Sequence, residues 1–286
     1  MPVLYINKPK GITSFSLCNK LRPILGTKKI GHTGTLDPNA TGLMIVLYNE
    51  ATKANQFLVS DTKEYYGVCR IGIETDTLDI DGKILRSESL KMPSYDEIKE
   101  VFNSFIGSYM QIPPMTSAIK VNGKKLYEYK REGKEIEVKP RNVEIIEIEL
   151  IEVNEDSFTF RTLVSSGTYI RSLLKDILDK LGIFGTLIEL KRSKINDISL
   201  DDADELEDVL SGKYQIHDLY EVLKKRYYVY KTLDTKAIMD GKPLKLDINK
   251  EEILVVDSDD KCLAIYRKEG HLFRSVRGLF WFKRYM

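Results

Sequence analysis

The chain has 286 residues, 42% hydrophobic and 30% charged, enough for a buried core in one large domain or in a large and a small one, and too many for a single small scaffold. Lysine plus arginine (44) balances aspartate plus glutamate (43), so global charge selects no partner and function must be read from local pattern. Three distant cysteines without a CxxC pair, an N-terminal "MPVLYINKPKG" that lacks the apolar core of a signal peptide, and no run near the roughly 18 apolar residues of a membrane helix point to a reduced cytoplasm and argue against a zinc site or a membrane partner.

In chain order, "PVLYINKP" reads as a short buried strand ending at Pro9. Thr13 and Ser14 then offer caps for a helix over "SFSLCNKLRPIL". The stretch "KKIGHTGTLDPNATGLMIVL", Lys28 to Leu47, is a Gly- and Thr-rich loop around one aspartate, Asp37, followed at once by a core strand. "ATKANQFLVSD" looks helical. "KEYYGVCRIGIETDTLDIDGKI" alternates as a strand with a turn at Asp81-Gly82. "PSYDEIKEVFNSFIG" is a helix with a capping box, Ser94 to Glu97. Two β-rich runs follow, "EVKPRNVEIIEIELIEV" and "FTFRTLVSSGTYI", joined by a turn at Asn154-Glu155-Asp156. "TYIRSLLKDILDKLG" is an amphipathic helix closed by Gly182.

Two composition shifts follow. Asp201 to Glu221 carries eight acids and one base, Lys213; Lys261 to Met286 carries seven bases and one acid, Glu269. A boundary near Lys225 therefore divides an expected 1–225 unit from a small β-rich 226–286 unit. The bases of the tail are interleaved with Tyr266, Phe273, Phe280, Trp281, Phe282 and Tyr285, a pattern shared by solvated surfaces and nucleic-acid contacts.

The loop around Asp37 has neither GxxxxGK[ST] nor GxGxxG, so no phosphate cradle is expected. His32 with Asp37 lacks a third ligand at useful spacing, so no metal is expected. "TLDIDGKILRSE" imitates part of a calcium loop, but Thr77 stands at its first position and its flanks read as strands, which favours a β-turn. Asp37 itself has two readings: a turn residue bonding its own backbone, or a carboxylate for attack at a sugar carbon, as in retaining glycosidases, with Gly31, Gly34 and Gly42 leaving room for a bulky ligand. Arg171, in the first turn of its helix, is either a surface residue or a bidentate partner that fixes a buried carboxylate. Tyr65 is either core or a stacking platform for a nucleobase.

"GHTGTLDPNATGLM", "KEYYGVCRIGIETDTLDIDG", "PPMTSAIKVNGKKLYEYKREG" and "SSGTYIRSLLKDI" occur in this order, and together they resemble the TruB family, the bacterial tRNA pseudouridine-55 synthases. The resemblance runs from about Leu4 to Arg192. It implies an α+β pseudouridine synthase fold: a mixed, mostly antiparallel central sheet with flanking helices, followed by a small PUA-like domain.

By matching position, the resemblance makes Asp37 the catalytic aspartate, Arg171 its ion-pair partner and Tyr65 the tyrosine that stacks on the target base, with Tyr66 second. Leu190 resembles the leucine lining the uracil pocket. His32 resembles the histidine that fills the space left by the flipped nucleotide. The segment 112–141 resembles an RNA-gripping thumb, with Lys124, Lys125, Lys130 and Arg131 among its bases.

The implied substrate is the T-arm of tRNA, with no cofactor and no metal, and the implied state is a monomer with no obligatory protein partner. A guide-RNA-dependent subunit and a catalytically idle RNA chaperone are the rival readings.

Overall fold

The computed structural model describes residues 1–59, 62–134 and 136–280. The apolar run Pro2–Lys8 (β1) is a strand that ends at Pro9. Thr13 caps the helix Ser14–Leu25 (α1), accepting from the Ser16 N–H. Leu17, Cys18 and Leu21 lie on its buried face, and Gly26 closes it in the left-handed region. Ile30–His32 (β2) and Thr41–Tyr48 (β3) flank the Asp37 loop. The next segment is a 3-10 helix over Asn49–Phe57 rather than an α-helix. Its buried residues Ala51, Ala54 and Phe57 recur every three positions, which is the 3-10 period.

Lys63–Ile71 (β4) precedes a hairpin of Ile73–Thr75 (β5) and Ile84–Ser87 (β6), so the calcium-loop reading is excluded by its strand flanks. Tyr95–Asn103 (α2) has the expected Ser94–Glu97 capping box. Gly107–Gln111 (β7) leads into the 112–141 segment. That segment forms a small hairpin, Lys120–Val121 (β8) with Lys124–Lys125 (β9), and one short helix, Leu126–Arg131 (α3). Arg141–Val153 (β10) and Ser157–Val164 (β11) are paired antiparallel, and Ile170–Leu181 (α4) ends at Gly182.

Gly185–Ile195 (β12) and Ile198–Ser199 (β13) precede the acidic segment, which folds as Asp204–Glu205 (β14), Leu206–Leu210 (α5), His217–Asp218 (β15) and Leu219–Leu223 (α6). The chain then builds a separate four-stranded sheet from Tyr228–Lys231 (β16), Glu252–Val256 (β17), Cys262–Glu269 (β18) and Leu272–Gly278 (β19), with Thr235–Met239 (α7) between its first two strands.

The central sheet runs β14-β1-β3-β12-β4-β11-β10-β7. The β1–β14 and β3–β12 pairs are parallel and the other pairs along this path are antiparallel, so the sheet is mixed and mostly antiparallel, as expected. One face carries the larger core, where Leu17 and Leu21 of α1, Ile98 and Phe102 of α2 and Leu173 and Ile177 of α4 join Phe158, Phe160 and Cys69. The other face buries Val3, Tyr5, Leu43, Ile45 and Leu47 together with Leu254, Val256 and Ile265 of the C-terminal sheet. The alternate residues Ile253 and Val255 point into that sheet's own cluster with Tyr266 and Phe273. Both sheets therefore share one apolar layer. No helix among the described residues is long and apolar enough to cross a membrane.

The β3–β12 pair sets the position of the Asp37 loop, because its register places Thr41 opposite Lys191 and Gly42 opposite Arg192. Gly42 has φ 106°, and a Cβ there would lie 2.2 Å from the Arg192 carbonyl oxygen. A Cβ on Gly34 would meet the Arg192 guanidinium at 3.3 Å. These two glycines make room for the chain's own packing and not for a ligand, which corrects the expectation from sequence; only Gly31 has open space. Gly42→Ala should therefore destabilise the protein by at least about 2 kcal/mol, through strain at positive φ and loss of the β3–β12 register. Chemical denaturation measures it, and a loss below about 0.5 kcal/mol would contradict this role for Gly42.

Candidate active site

Asp37 sits between two pinned neighbours. Leu36 exchanges two hydrogen bonds with Ser14: its N–H donates to Ser14 Oγ (2.9 Å) and its carbonyl accepts from the same hydroxyl (3.0 Å). The Pro38 carbonyl accepts from the Gly11 N–H (2.9 Å) and from Lys8 Nζ (3.1 Å). Lys8 is fully buried and also donates to the Pro9 and Ile12 carbonyls, so it binds the turn after β1 to the Asp37 loop. Burial pushes its pKa down to about 8, against the pull of Asp37. From the far side, Arg192, 1% exposed, donates to the Leu43 and Gly34 carbonyls.

Arg171 is the second residue of α4 and only 4% exposed, which excludes the surface-residue reading. Its Nη2 lies 3.0 Å from Asp37 Oδ2 and its Nη1 lies 3.3 Å from Asp79 Oδ2. Nη1 also donates to the Thr77 carbonyl (2.9 Å) and to Thr116 Oγ1. The guanidinium is therefore shared between two carboxylates, one nitrogen each, where sequence suggested a bidentate grip on one. It also joins three segments: the Asp37 loop, the β5–β6 turn and the root of the 112–141 segment. Burial raises the Asp37 pKa, Arg171 opposes the shift, and the nearby Asp79 carboxylate adds to it. The net shift is upward, on a side chain that remains 37% exposed and so reachable by substrate.

The cleft at Asp37 is walled by Arg171, Asp79, Ile80 and the β12 residues Leu187 to Leu190. Of the residues singled out from sequence, it brings together Asp37, Arg171 and Leu190. Tyr65 and His32 are not part of its wall. Tyr65 is 7% exposed and lies in the apolar cluster that includes Leu36 and Ala40, whereas its neighbour Tyr66 points to the opposite face of the sheet and is exposed. His32 is half-buried on β2, opposite Val46; burial and the Arg192 charge lower its pKa, which favours the neutral imidazole. Among the described residues no group of three metal-ligating side chains occurs.

Sequence reasoning missed Asp79, Thr116, Lys8, Ser14 and Arg192. Asp79 had a visible signal in the acid density of "TDTLDIDG", but it was weighed only as a calcium-loop ligand or a turn residue. It is a turn residue too: its Oδ1 accepts from Thr77 Oγ1 and from the Asp81 N–H. Lys8 is the one cation of an apolar strand, a signal that could have marked it; Arg192 stands among Lys191 and Lys194, and no local signal sets it apart.

The bases of the 112–141 segment have local partners. Lys124 pairs with Glu132, Lys130 reaches Asp76 Oδ2 at 3.2 Å and the Asp76 carbonyl at 2.6 Å, and both Lys125 and Arg131 lie over the Tyr127 ring. In the C-terminal sheet, Tyr266 and Phe273 are fully buried, so they are core rather than stacking surface for bases. Trp281, Phe282 and Tyr285 lie outside the described residues.

The TruB family model, "TruB family pseudouridylate synthase (N terminal domain)", matches residues 22–170. Proteins named tRNA pseudouridine synthase B are similar over nearly the whole chain. That of Alkaliphilus oremlandii is 40% identical and covers 94% of this chain and 94% of its own. That of Aquifex aeolicus is 38% identical, covering 96% and 98%, and that of Francisella tularensis subsp. holarctica is 45% identical, covering 93% and 93%. Among solved structures, an H/ACA RNP bound to a substrate RNA containing 2'-deoxyuridine and a Cbf5-Nop10-Gar1 complex each contain a chain similar at TM-score 0.73 and 20% identity, over 98% of this chain and 85% of the other. At that identity the likeness shows the fold alone. Identities of 38–45% over at least 93% of the chain, together with the family model, show that the chain belongs to the TruB family of pseudouridylate synthases.

Proposed function

We propose that this chain isomerises uridine to pseudouridine in tRNA, at position 55 of the T-loop, with Asp37 as the catalytic carboxylate. The observation that carries the reading is the pairing of half-exposed Asp37 with buried Arg171, in a chain of this family. In the reaction the N1–C1′ bond breaks and a C5–C1′ bond forms, C5 gives up its proton and N1 gains one. Nothing is oxidised or transferred, so the chemistry requires no redox cofactor or phosphate donor. The target base must first leave its stack, at a cost of a few kcal/mol.

Asp37 then acts in its ionised form: attack at C1′, attack at C6 and a glycal route all begin from the carboxylate. Arg171 holds its rotamer and offsets the burial that favours the protonated form. Leu190 gives the uracil an apolar wall. Tyr65 is assigned to contact with the base, and His32 to the gap the flipped nucleotide leaves; neither lines the Asp37 cleft in this structure. Residues 1–225 form the catalytic unit and 226–286 a small PUA-like unit. A solvent-open cavity of about 580 Å³ where the two units meet is lined by the acids Glu251 and Glu252 as well as by Lys225, Arg226, Lys250 and Arg267, and Arg267 is paired with Glu252. The chain works in the cytoplasm as a monomer, without an obligatory protein partner.

Asp37→Asn should abolish turnover and leave tRNA affinity within about tenfold, because it removes the reacting group and little contact surface. Wild-type turnover in that variant would return Asp37 to the role of a turn residue. Arg171→Lys keeps the charge but cannot reach both carboxylates through a planar fork, so its single-turnover rate should fall at least about tenfold.

The pH–rate profile should show an acid limb above the range of a free aspartate, since Asp37 is inactive once protonated and its pKa is raised. Asp79→Asn removes a negative neighbour that raises this pKa, so the limb should move to lower pH; a shift to higher pH would contradict the assignment.

Replacing Lys124, Lys125, Lys130 and Arg131 together by Ala should weaken binding to all RNAs alike. It should also flatten the salt dependence of affinity by roughly 0.7 to 0.9 log units per lost phosphate contact. An unchanged salt slope would mean that RNA is gripped elsewhere.

A further inference from the structure

We infer that Ser14 is a positioning residue for the isomerisation: its hydroxyl fixes the backbone on the N-terminal side of Asp37. The inference rests on the reading of Asp37 as the catalytic carboxylate. Ser14 is the first residue of α1, yet its side chain faces inward and is 2% exposed. Helix capping is done by its neighbour, Thr13, which accepts from the Ser16 N–H at 2.9 Å. The Ser14 hydroxyl is therefore free for another use, and it spends both its donor and an acceptor site on one residue, Leu36.

That pattern imitates a β-bridge, with a side chain standing in for a strand. Leu36 is 3% exposed, and neither its N–H nor its carbonyl has another partner among the described residues. Without the hydroxyl both groups would be buried and unpaired.

The residue that follows Leu36 is Asp37. On the other side of it, the Pro38 carbonyl is held by the Gly11 N–H and Lys8 Nζ. The two flanks of the aspartate are thus fastened to one short segment, Lys8 to Ser14, which acts as a mould for the loop. The side chain is fastened separately, by Arg171 at 3.0 Å. With both flanks fixed, the Cα of Asp37 is held in place, and the Arg171 contact then sets the direction of the carboxylate. With the Ser14 bonds removed, Arg171 still holds Asp37 Oδ2, but the Cα from which it projects is released on one side. Misplacement on the ångström scale is costly to a reacting group even when binding is intact.

The test compares Ser14→Ala with Thr13→Ala. Thr13→Ala removes the cap of α1 and leaves Leu36 untouched, whereas Ser14→Ala removes both Leu36 bonds and leaves the cap in place. Ser14→Ala should slow single-turnover pseudouridine formation at saturating enzyme by roughly ten- to a hundredfold, with the Kd for tRNA unchanged within about twofold. Thr13→Ala should lower Tm through the lost cap and keep the wild-type rate. If Ser14→Ala fails to fold, Ser14→Cys has a similar shape and only weak hydrogen bonds, and the same loss of rate at unchanged Kd is expected.

A wild-type rate in a folded Ser14 variant overturns the inference, as does a rate loss that Thr13→Ala reproduces at equal loss of Tm. The two readings fail separately. An active Asp37→Asn enzyme removes the catalytic assignment; an inactive Asp37→Asn enzyme beside a normal Ser14→Ala enzyme removes only the positioning role.

Discussion

The arrangement at the cleft depends on one buried cation. Arg171 enters from the first turn of α4 and meets Asp37 from one loop, Asp79 and Thr77 from another, and Thr116 from the root of the 112–141 segment. A guanidinium is suited to this because its donors diverge in a fixed plane, so each partner has one allowed position relative to the others. An ammonium at the same place would bind the same charges without fixing their directions. Arg171 is the second residue of α4, and the turn between β5 and β6 brings the second carboxylate, Asp79, to the same guanidinium.

Two opposing electrostatic demands meet at Asp37. In the catalytic role proposed for it the carboxylate must act in its charged form, and burial favours the protonated one. Arg171 favours the charged form, while Asp79 shares the same guanidinium and raises the Asp37 pKa. Removing the cation would leave two carboxylates facing each other in a half-buried cleft, which is far more costly than an ordinary surface substitution. Lys8 adds a second positive charge nearby while it serves three backbone carbonyls. On the proposed assignment, stability and reactivity are therefore set by the same few side chains. The strands beneath them, β3 and β12, approach as closely as they do because position 42 is glycine.

How much of this was legible in the sequence depended on how local the cause was. The capping box at Ser94, the Thr13 cap, the Gly26 and Gly182 helix ends and the alternation of β11 are set by neighbours within a few residues, and each can be read from the string. The 3-10 geometry of Asn49–Phe57 was also present, as a three-residue apolar repeat, but the segment was read only as helical, without its pitch. The parallel pairing of β3 with β12 joins Gly42 to Arg192, far apart in the sequence, so no local pattern announced it, and the glycine was mistaken for a ligand-facing one. Asp79 was hidden because the same residue closes a turn with one oxygen and meets Arg171 with the other. Tyr266 and Phe273 looked like interleaved stacking residues for the reverse reason: in a strand, alternation with bases is also the signature of a buried face. Asp37 and Arg171 could be paired from sequence only through the family resemblance, since 134 positions separate them in the numbering.

Mapping pseudouridine at single-nucleotide resolution, in unmodified tRNA incubated with the purified chain alone, tests most directly whether this constellation performs the isomerisation by itself. Pseudouridine at the T-loop uridine, position 55, with no guide RNA or protein partner added, is the predicted result. Correctly folded protein that binds the tRNA and leaves every uridine unchanged, or that modifies position 55 only when a partner is supplied, would contradict it.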